Sequence, residues 1–179
     1  DWQKKGPVYD VLRASEIIDD KLPTIISYCD YYMHWDYQLF KKEVVNRNSD
    51  GSAPCYSGFH PHLIPKKNLY ASCKVDKDEN LIEIKEKFSW EEDRTKAKHS
   101  PGVYYIKTGE ILKKYCREMI EADDNINGEY YASLPLNYLV KDNLKVWCPN
   151  NVTNFCQWGT PEDLEEYLFW MNIIKEFKI

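Results

Sequence analysis

Apolar residues along the chain follow two different periods, and both occur near the amino-terminal end. Helical spacing after Gly6-Pro7 predicts an amphipathic helix that extends to Ile18, with proline tolerated in its first turn. The nearly continuous apolar run 24–29 predicts a central strand buried on both faces, and this strand ends at Asp30. A carboxylate is therefore expected at the carboxyl end of a buried strand.

The rest of the chain continues to alternate strands with helices. Asp36 is placed to cap a helix that extends to Val45. Further predicted strands are 54–59, 69–75, 81–87, 103–106 and 144–148; predicted helices are 109–121, 129–141 and one opening at Pro161; and 91–98 is a charged loop. This alternation predicts an α/β fold with a mixed, mostly parallel sheet in a single domain over residues 1–179.

Composition narrows the class of protein. A chain of 179 residues can bury a core of its own, and 43% hydrophobic with 30% charged residues is typical of a globular domain. The net charge of −5, without a long run of Lys or Arg, disfavours polymeric nucleic acid as a partner. No apolar stretch of membrane-spanning length and no signal-peptide pattern are present, so we expect a cytoplasmic protein with no membrane partner.

Cysteine and aromatic residues add two further expectations. The six cysteines form no C-x-x-C pair, which disfavours a structural zinc site and favours reduced thiols. Aromatic residues reach 15%, with 14 tyrosines. They form either an aromatic core or a groove that stacks rings and hydrogen-bonds hydroxyl groups, and both interpretations stay open.

Several short blocks, taken together and in order, resemble a known family. They are Gly6-Pro7-Val8, Ile26-Ser27-Tyr28-Cys29-Asp30, Gly58-Phe59-His60-Pro61-His62, Ile84-Lys85-Glu86-Lys87, Ser100-Pro101-Gly102-Val103-Tyr104-Tyr105, Asn127-Gly128-Glu129-Tyr130-Tyr131 and Gln157-Trp158-Gly159-Thr160-Pro161-Glu162-Asp163-Leu164. Each block alone is weak. The ordered set resembles the nucleotidyltransferase family that makes nucleotide sugars and related activated precursors.

The resemblance implies a fold and a reaction. It implies a three-layer α/β/α domain of the nucleotide-diphospho-sugar transferase kind, which transfers NMP from an NTP to a phosphorylated small molecule, releases pyrophosphate and uses Mg²⁺. The usual setting of such proteins is the synthesis of surface-polysaccharide or capsule precursors, and a homo-oligomer stays open. The family's amino-terminal G-x-G-x-R loop has no counterpart in this sequence, so we expect the larger, carboxyl-terminal part of such a domain, with little or no turnover by this chain as given.

The resemblance also assigns site residues. Asp30 is the expected Mg²⁺ ligand and catalytic carboxylate, although an Asp in this position is also typical of a turn or a helix cap. The family's second metal carboxylate falls at Gln157, whose neutral amide oxygen is a weaker ligand for a hard cation. Either Asp30 acts with phosphates and water, or the use of metal is altered.

The remaining candidates belong to the acceptor side. Lys87 resembles the family's phosphate-binding lysine, and a solvated surface lysine is the alternative. Gly102 would let backbone approach a ligand, and Tyr104 or Tyr105 would wall the pocket, unless these residues are simply part of a core strand. Glu129, expected at a helix start, resembles a ligand of an acceptor hydroxyl group. His60 would reach toward the acceptor, or it is an ordinary loop histidine.

Two rival functions stay open. A glycosyltransferase of a related nucleotide-sugar-binding fold would also need an Asp at a strand end, but Asp30-Tyr31-Tyr32 lacks the second carboxylate of a D-x-D pair. A non-catalytic ligand-binding or regulatory module is favoured by Gln157 and by the absent phosphate loop.

Overall fold

The computed structural model describes residues 5–64 and 68–177. Within them the helices are α1 (Pro7–Arg13), α2 (Tyr37–Asn46), α3 (Gly109–Glu121), α4 (Pro135–Lys141) and α5 (Pro161–Phe177). The strands are β1 (Thr24–Ser27), β2 (Tyr31–His34), β3 (Gly51–Ser52), β4 (Ser72–Val75), β5 (Leu81–Lys85), β6 (Lys98–His99), β7 (Val103–Ile106), β8 (Val146–Trp147) and β9 (Asn154–Gln157). A 3₁₀ turn covers Pro61–Leu63.

The strands form three small sheets. The largest has the order β1-β7-β3-β8; β7 is antiparallel to both β1 and β3, and β3 is parallel to β8. β2 pairs with β9, and β5-β4-β6 form the third sheet. The mixed α/β fold predicted from the sequence is confirmed. Among the described strands the parallel pair is β3 with β8, and the other pairs are antiparallel, so the sheets are less parallel than expected.

Helices cover both faces of the largest sheet because side chains along β7 alternate in direction. Tyr104 and Ile106 belong to the main core, to which α3 and α4 contribute, and Tyr105 belongs to a smaller core with Phe40 and Val44 of α2. Leu139 of α4 is fully buried, and burying a leucine side chain stabilises the fold by about 1.5–3 kcal/mol. The three layers follow from this division.

Two helix starts that the sequence predicts are confirmed by their capping hydrogen bonds. The Leu39 amide donates to Asp36 Oδ1 at 2.8 Å at the start of α2, and the Ile111 amide donates to Thr108 Oγ1 at 3.2 Å at the start of α3. Such caps satisfy amide groups that have no partner within the helix.

Other predictions of element bounds are wrong. α1 ends at Arg13 instead of reaching Ile18, and Ile17 is 86% exposed. Residues 54–59 form isolated bridges at Cys55 and Tyr56 and no continuous strand. The helix expected over 129–141 begins at Pro135, because proline is favoured in the first turn and residues 132–134 form a turn.

The strand that leads to Asp30 also differs from its prediction. β1 alternates half-buried and exposed side chains, and Ile25 is 39% exposed. Among the described strands β1 pairs only with β7, so it is an edge strand and its apolar sequence is not covered on both faces.

Three buried thiols meet between the sheets. Cys55, Cys73 and Cys148 are each at most 4% exposed, and the sulfur atoms of Cys55 and Cys73 are 3.6 Å apart. Cys116 is fully buried in α3, whereas Cys29 is exposed.

Helix α5 is the least packed of the described helices. None of its described residues is buried, and Trp170 and Phe177 are 53% and 70% exposed. Among the described helices, none is both long enough and apolar enough to cross a membrane.

Candidate functional site

A cavity of about 590 Å³ opens where several elements meet. Its walls come from the start of α1, the segment that follows β1, the segments that precede β4 and β7, and the end of β9. These stretches are far apart in sequence, and the sheets bring their ends together. The site is therefore a property of the tertiary fold.

Most of the lining side chains are aromatic or charged. The lining residues are Lys5, Gly6, Pro7, Tyr9, Asp10, Arg13, Tyr28, Asp30, Tyr31, Leu69, Tyr70, Ala71, Glu86, Ser100, Pro101, Gly102, Tyr104, Glu129, Tyr131, Phe155 and Gln157. Such a surface offers aromatic faces, hydroxyl groups and carboxylates to a polar ligand.

Five of the seven residues predicted from the sequence line this cavity. They are Asp30, Gly102, Tyr104, Glu129 and Gln157. They come from four separate sequence blocks, so their convergence is a finding of the structure.

Asp30 lies directly before β2. Its backbone carbonyl accepts a hydrogen bond from the Trp158 amide at 2.8 Å, which ties it to the segment after β9. Asp30 is exposed, so its carboxylate faces the open cavity.

Gly102 brings backbone close to an aromatic ring. Its φ is +99°, a conformation that L residues with a side chain rarely adopt, and a Cβ at this position would lie 2.3 Å from Cδ2 of Tyr28. Its carbonyl accepts from the Tyr28 amide at 3.2 Å. The turn into β7 therefore requires glycine in order to place Tyr28 against the cavity wall.

Two carboxylates stand among tyrosines at another part of the wall. Glu129 accepts a hydrogen bond from the Tyr131 hydroxyl, and Glu86 accepts one from the Ser133 hydroxyl. Burial raises the pKa of Glu86 from 4.5 to about 7; the Ser133 hydrogen bond and Lys87 oppose the rise, and Glu129 adds to it. Glu86 can therefore be protonated or ionised near neutral pH.

The expected helix start at Glu129 is wrong, although Glu129 does line the cavity. Glu129 forms a bridge with Ile126 in a tight turn, six residues before α4 begins at Pro135. It is the turn, and not a helix, that carries its side chain to the site.

Lys87 lies beside the cavity but is not among its lining residues. It is exposed, its φ is +53°, and its Nζ lies 4.9 Å from the ring centroid of Tyr131. Because Tyr131 does line the cavity, Lys87 packs behind that wall.

His60 is placed in an aromatic cluster outside the lining. It is 7% exposed, its Nε2 lies 2.8 Å from the Phe155 carbonyl oxygen, and its ring is 5.2 Å from that of Phe155. This placement fits a packed loop histidine better than a ligand of an acceptor. The side chain of the neighbouring His62 lies outside the described residues.

Gln157 is held by two neighbouring side chains. Its Oε1 accepts from the Tyr70 hydroxyl at 2.5 Å, and its Nε2 donates to Asp163 Oδ2 at 3.2 Å. Asp163 also accepts from the Thr160 amide at 3.1 Å, at the start of α5. The end of β9 and the start of α5 are thereby joined at the cavity.

The described residues do not supply a protein-held site for Mg²⁺. Among residues 5–64 and 68–177 no group of three His, Cys, Asp or Glu side chains could hold a metal ion. Asp30 offers one carboxylate, and the oxygen of Gln157 already accepts a hydrogen bond. Hard cations such as Mg²⁺ prefer carboxylates and an octahedral set of oxygen ligands, which this pair does not provide.

Glu86 and residues near the start of α1 line the cavity, although sequence reasoning did not assign them to the site. Glu86 lies two positions after Ile84, which is fully buried in β5, so the period of a strand places its side chain on the inner side. That alternation was the available signal. Lys5, Asp10 and Arg13 had no such signal, because only the tertiary fold brings α1 to the cavity.

Comparison with known proteins identifies related folds. No protein-family model matches the chain, and no curated protein matches it. Among solved structures, a nucleoside-diphosphate-sugar pyrophosphorylase from Vibrio cholerae superposes with a TM-score of 0.67 at 15% identity, over 93% of this chain and 66% of that one.

Two further structures give similar results. HddC from Yersinia pseudotuberculosis has a TM-score of 0.55 at 17% identity, over 93% of this chain and 62% of its own. A protein from Bacillus anthracis assigned as a glucose-1-phosphate thymidylyltransferase, in complex with sucrose, has a TM-score of 0.65 at 13% identity, over 90% of this chain and 58% of its own.

This chain thus spans less than two thirds of the length of each of these three neighbours. At these identities the likeness concerns the fold alone. The chain shares the α/β fold of the nucleoside-diphosphate-sugar pyrophosphorylase and of the thymidylyltransferase-like protein.

Proposed function

We propose that this chain is part of a nucleotidyltransferase that transfers NMP from an NTP to a phosphorylated small molecule and releases pyrophosphate. The observation that carries the proposal is the convergence of Asp30, Gly102, Glu129 and Gln157 on one cavity. The related fold of a nucleoside-diphosphate-sugar pyrophosphorylase supports it. A surface-polysaccharide precursor is the proposed product class.

The acceptor would bind at the wall of carboxylates and tyrosines. Glu86 and Glu129 can accept hydrogen bonds from hydroxyl groups, and the ring of Tyr131 can pack against a sugar face. Tyr104 lies at the same wall, with its hydroxyl group bound to Ser100 Oγ at 3.1 Å. A sugar phosphate or a similar phosphorylated alcohol fits these groups.

The reacting phosphates would lie toward Asp30. In the reaction, an oxygen of the acceptor phosphate attacks the α-phosphorus of the NTP, and pyrophosphate leaves with the electrons of the broken bond. Charge repulsion opposes this attack, so fixed positive groups near the phosphates stabilise the transition state. Lys5 and Arg13 line the cavity, and Lys87 packs against the ring of Tyr131, which also lines it. Lys87 would have to change its side-chain rotamer in order to contact an acceptor phosphate.

The Mg²⁺ predicted from the sequence stays a prediction. Asp30 is its candidate protein ligand, and such an ion would stabilise negative charge on the phosphates. Binding, orientation of the acceptor and exclusion of water are the tasks of the side chains named above.

The second candidate is a ligand-binding module without turnover. Gln157 favours it, because this chain has an amide where the nucleotidyltransferase family that it resembles has a metal-binding carboxylate. The two candidates differ in one measurement. Both require a ligand to bind the cavity, and only the transferase releases pyrophosphate.

The test combines binding with turnover. We expect a panel of NTPs, nucleoside-diphosphate sugars and sugar 1-phosphates to contain at least one ligand that raises the unfolding temperature of the chain, because a ligand of the folded state stabilises it. Pyrophosphate release is measured with the same panel in the chain and in a longer form that carries a phosphate-binding loop.

Asp30→Ala is the matched variant. We expect it to lower pyrophosphate release about 100-fold or more, as removal of an electrostatic group from a transferase site does. A ligand-induced shift without any pyrophosphate release would favour the binding module. No shift with any ligand and no release would exclude both candidates.

A further inference from the structure

Gln157 occupies the edge of the cavity at the end of β9, next to Asp30. We infer that Gln157 is a positioning residue whose amide is tied to Tyr70 and Asp163. Among the described residues, Asp30 is then the carboxylate that lines the cavity at that edge and can face a cation, because the neighbouring Asp163 is bound to Gln157 and lies outside the lining. The inference rests on the proposed function, of which it specifies the use of metal. It predicts weak cation binding by the protein alone.

The orientation of the amide follows from the chemistry of its partners. The Asp163 carboxylate can only accept hydrogen bonds when it is ionised, so the –NH₂ side of Gln157 must face it, at 3.2 Å. The oxygen then faces Tyr70, whose hydroxyl donates to it at 2.5 Å. The opposite orientation would place two oxygen atoms against each other at Asp163.

Tyr70 is suited to remain a donor. Burial raises the pKa of its phenol, and the nearby carboxylates of Asp163 and Asp30 raise it further. The phenol therefore keeps its proton at neutral pH, and the lone pair of Gln157 that it uses is not available to a cation.

Asp163 is fixed on its other side as well. Its amide donates to Thr160 Oγ1 at 3.2 Å, while its Oδ2 accepts from the Thr160 amide at 3.1 Å, a reciprocal cap at the start of α5. Gln157 thus links a helix start to an aromatic wall. A rotation of the amide that turned its oxygen away from Tyr70 would break both of these hydrogen bonds.

The side chains of Asp30 and Gln157 lie close together beside the backbone of Gly159. A Cβ on Gly159 would lie 3.2 Å from Asp30 Oδ2 and 3.2 Å from Gln157 Nε2, so these two atoms lie within about twice that distance of each other. At Mg²⁺ bond lengths, a single cation contacts two oxygens that are roughly 3–4 Å apart. Small side-chain movements can bring the side-chain atoms of positions 30 and 157 to that separation. A carboxylate at position 157 would therefore complete a two-carboxylate site that the native amide does not.

The test measures binding of Mn²⁺ alone, by the loss of the electron paramagnetic resonance signal of the free ion, without nucleotide. We expect Gln157→Ala to bind Mn²⁺ as weakly as the native chain does. We expect Gln157→Asp to bind it about tenfold or more tightly, and Gln157→Asp combined with Asp30→Asn to return to the native level.

Gln157→Glu is a second carboxylate variant. It keeps the length of the side chain, but one of its oxygens replaces the Nε2 that donates to Asp163, so it loses that hydrogen bond. Unfolding midpoints show which variants are folded, and only folded variants are compared. Tight Mn²⁺ binding by the native chain that Gln157→Ala weakens tenfold would overturn the inference. So would native-level binding by both carboxylate variants.

The Mn²⁺-binding test can fail independently of the pyrophosphate-release test of the proposed function. Absence of pyrophosphate release leaves the Mn²⁺ comparison unchanged, since no nucleotide is present in it. Conversely, release of pyrophosphate together with cation binding through Gln157 would keep the transferase and reject the positioning role.

Discussion

Glu86 shows how one half-buried carboxyl group connects stability with binding. It stands one position after β5 ends, bound to Ser133 and near Glu129, and burial raises its pKa to about 7. At neutral pH it is divided between an ionised form, which only accepts hydrogen bonds, and a protonated form, which also donates one. A bound acceptor with hydroxyl groups can meet either form.

The raised pKa has a defined effect on stability. The folded chain binds the Glu86 proton more tightly than the unfolded chain, so the contribution of Glu86 to the free energy of unfolding falls as pH rises from about 4.5 to about 7. We expect Glu86→Gln to remove this fall and to gain roughly 1–3 kcal/mol relative to the native chain between pH 5 and pH 8. Urea unfolding at several pH values measures it.

Glu83 on the same strand provides the control. Its side chain is 43% exposed and pairs with Lys85 at 3.1 Å. We expect Glu83→Gln to keep the pH dependence of the native chain. If Glu86→Gln and the native chain lose stability in parallel as pH rises, Glu86 does not carry the effect.

Among elements, the turn that leads into β7 does the most to shape the cavity. Gly102 lies in it with a positive φ, and the ring of Tyr28 occupies the space that a side chain would need. β7 itself is buried at every position, so the turn cannot shift outward without moving the core.

Gly58 provides a control for a substitution at Gly102. Its φ of +96° matches the +99° of Gly102, but a Cβ on Gly58 would meet nothing within 4 Å. We expect Gly58→Ala to cost about 1–2 kcal/mol from backbone strain alone. Gly102→Ala should cost about 2–5 kcal/mol, because overpacking against Tyr28 is added. Equal losses in urea unfolding would show that the ring of Tyr28 moves away freely.

Local elements were the part of the fold that the sequence predicted best. The bounds of α3 were predicted in full, since its start is capped by Thr108 and its apolar spacing is regular. β2 and β9 were missed, because their pairing joins residues more than 100 positions apart and neither strand is apolar enough to stand out. The family resemblance pointed to Glu129 as a ligand-binding residue, but the helix start expected there is a tight turn in the structure.

At the scale of the whole molecule, the site depends on contacts between distant segments. Gln157 meets Tyr70 across 87 positions, and Asp30 meets Trp158 through the backbone. Periodicity and spacing place residues along one element, and they do not say which elements meet. Five of the seven predicted residues line the cavity, because ordered motifs carry tertiary information that composition lacks, whereas Lys87 and His60 lie outside the lining.

The rates at which the buried thiols react with a reagent measure local and global unfolding of the chain. A thiol reagent should modify exposed Cys29 at once, while Cys116, whose pKa burial raises to about 12, should wait for local or global unfolding. Cys55, Cys73 and Cys148 are packed against one another, so we expect them to be modified together, at a rate that urea increases; mass spectrometry over time would count them. Modification of one of the three long before the others would mean that the sheets separate strand by strand instead of as one cooperative unit.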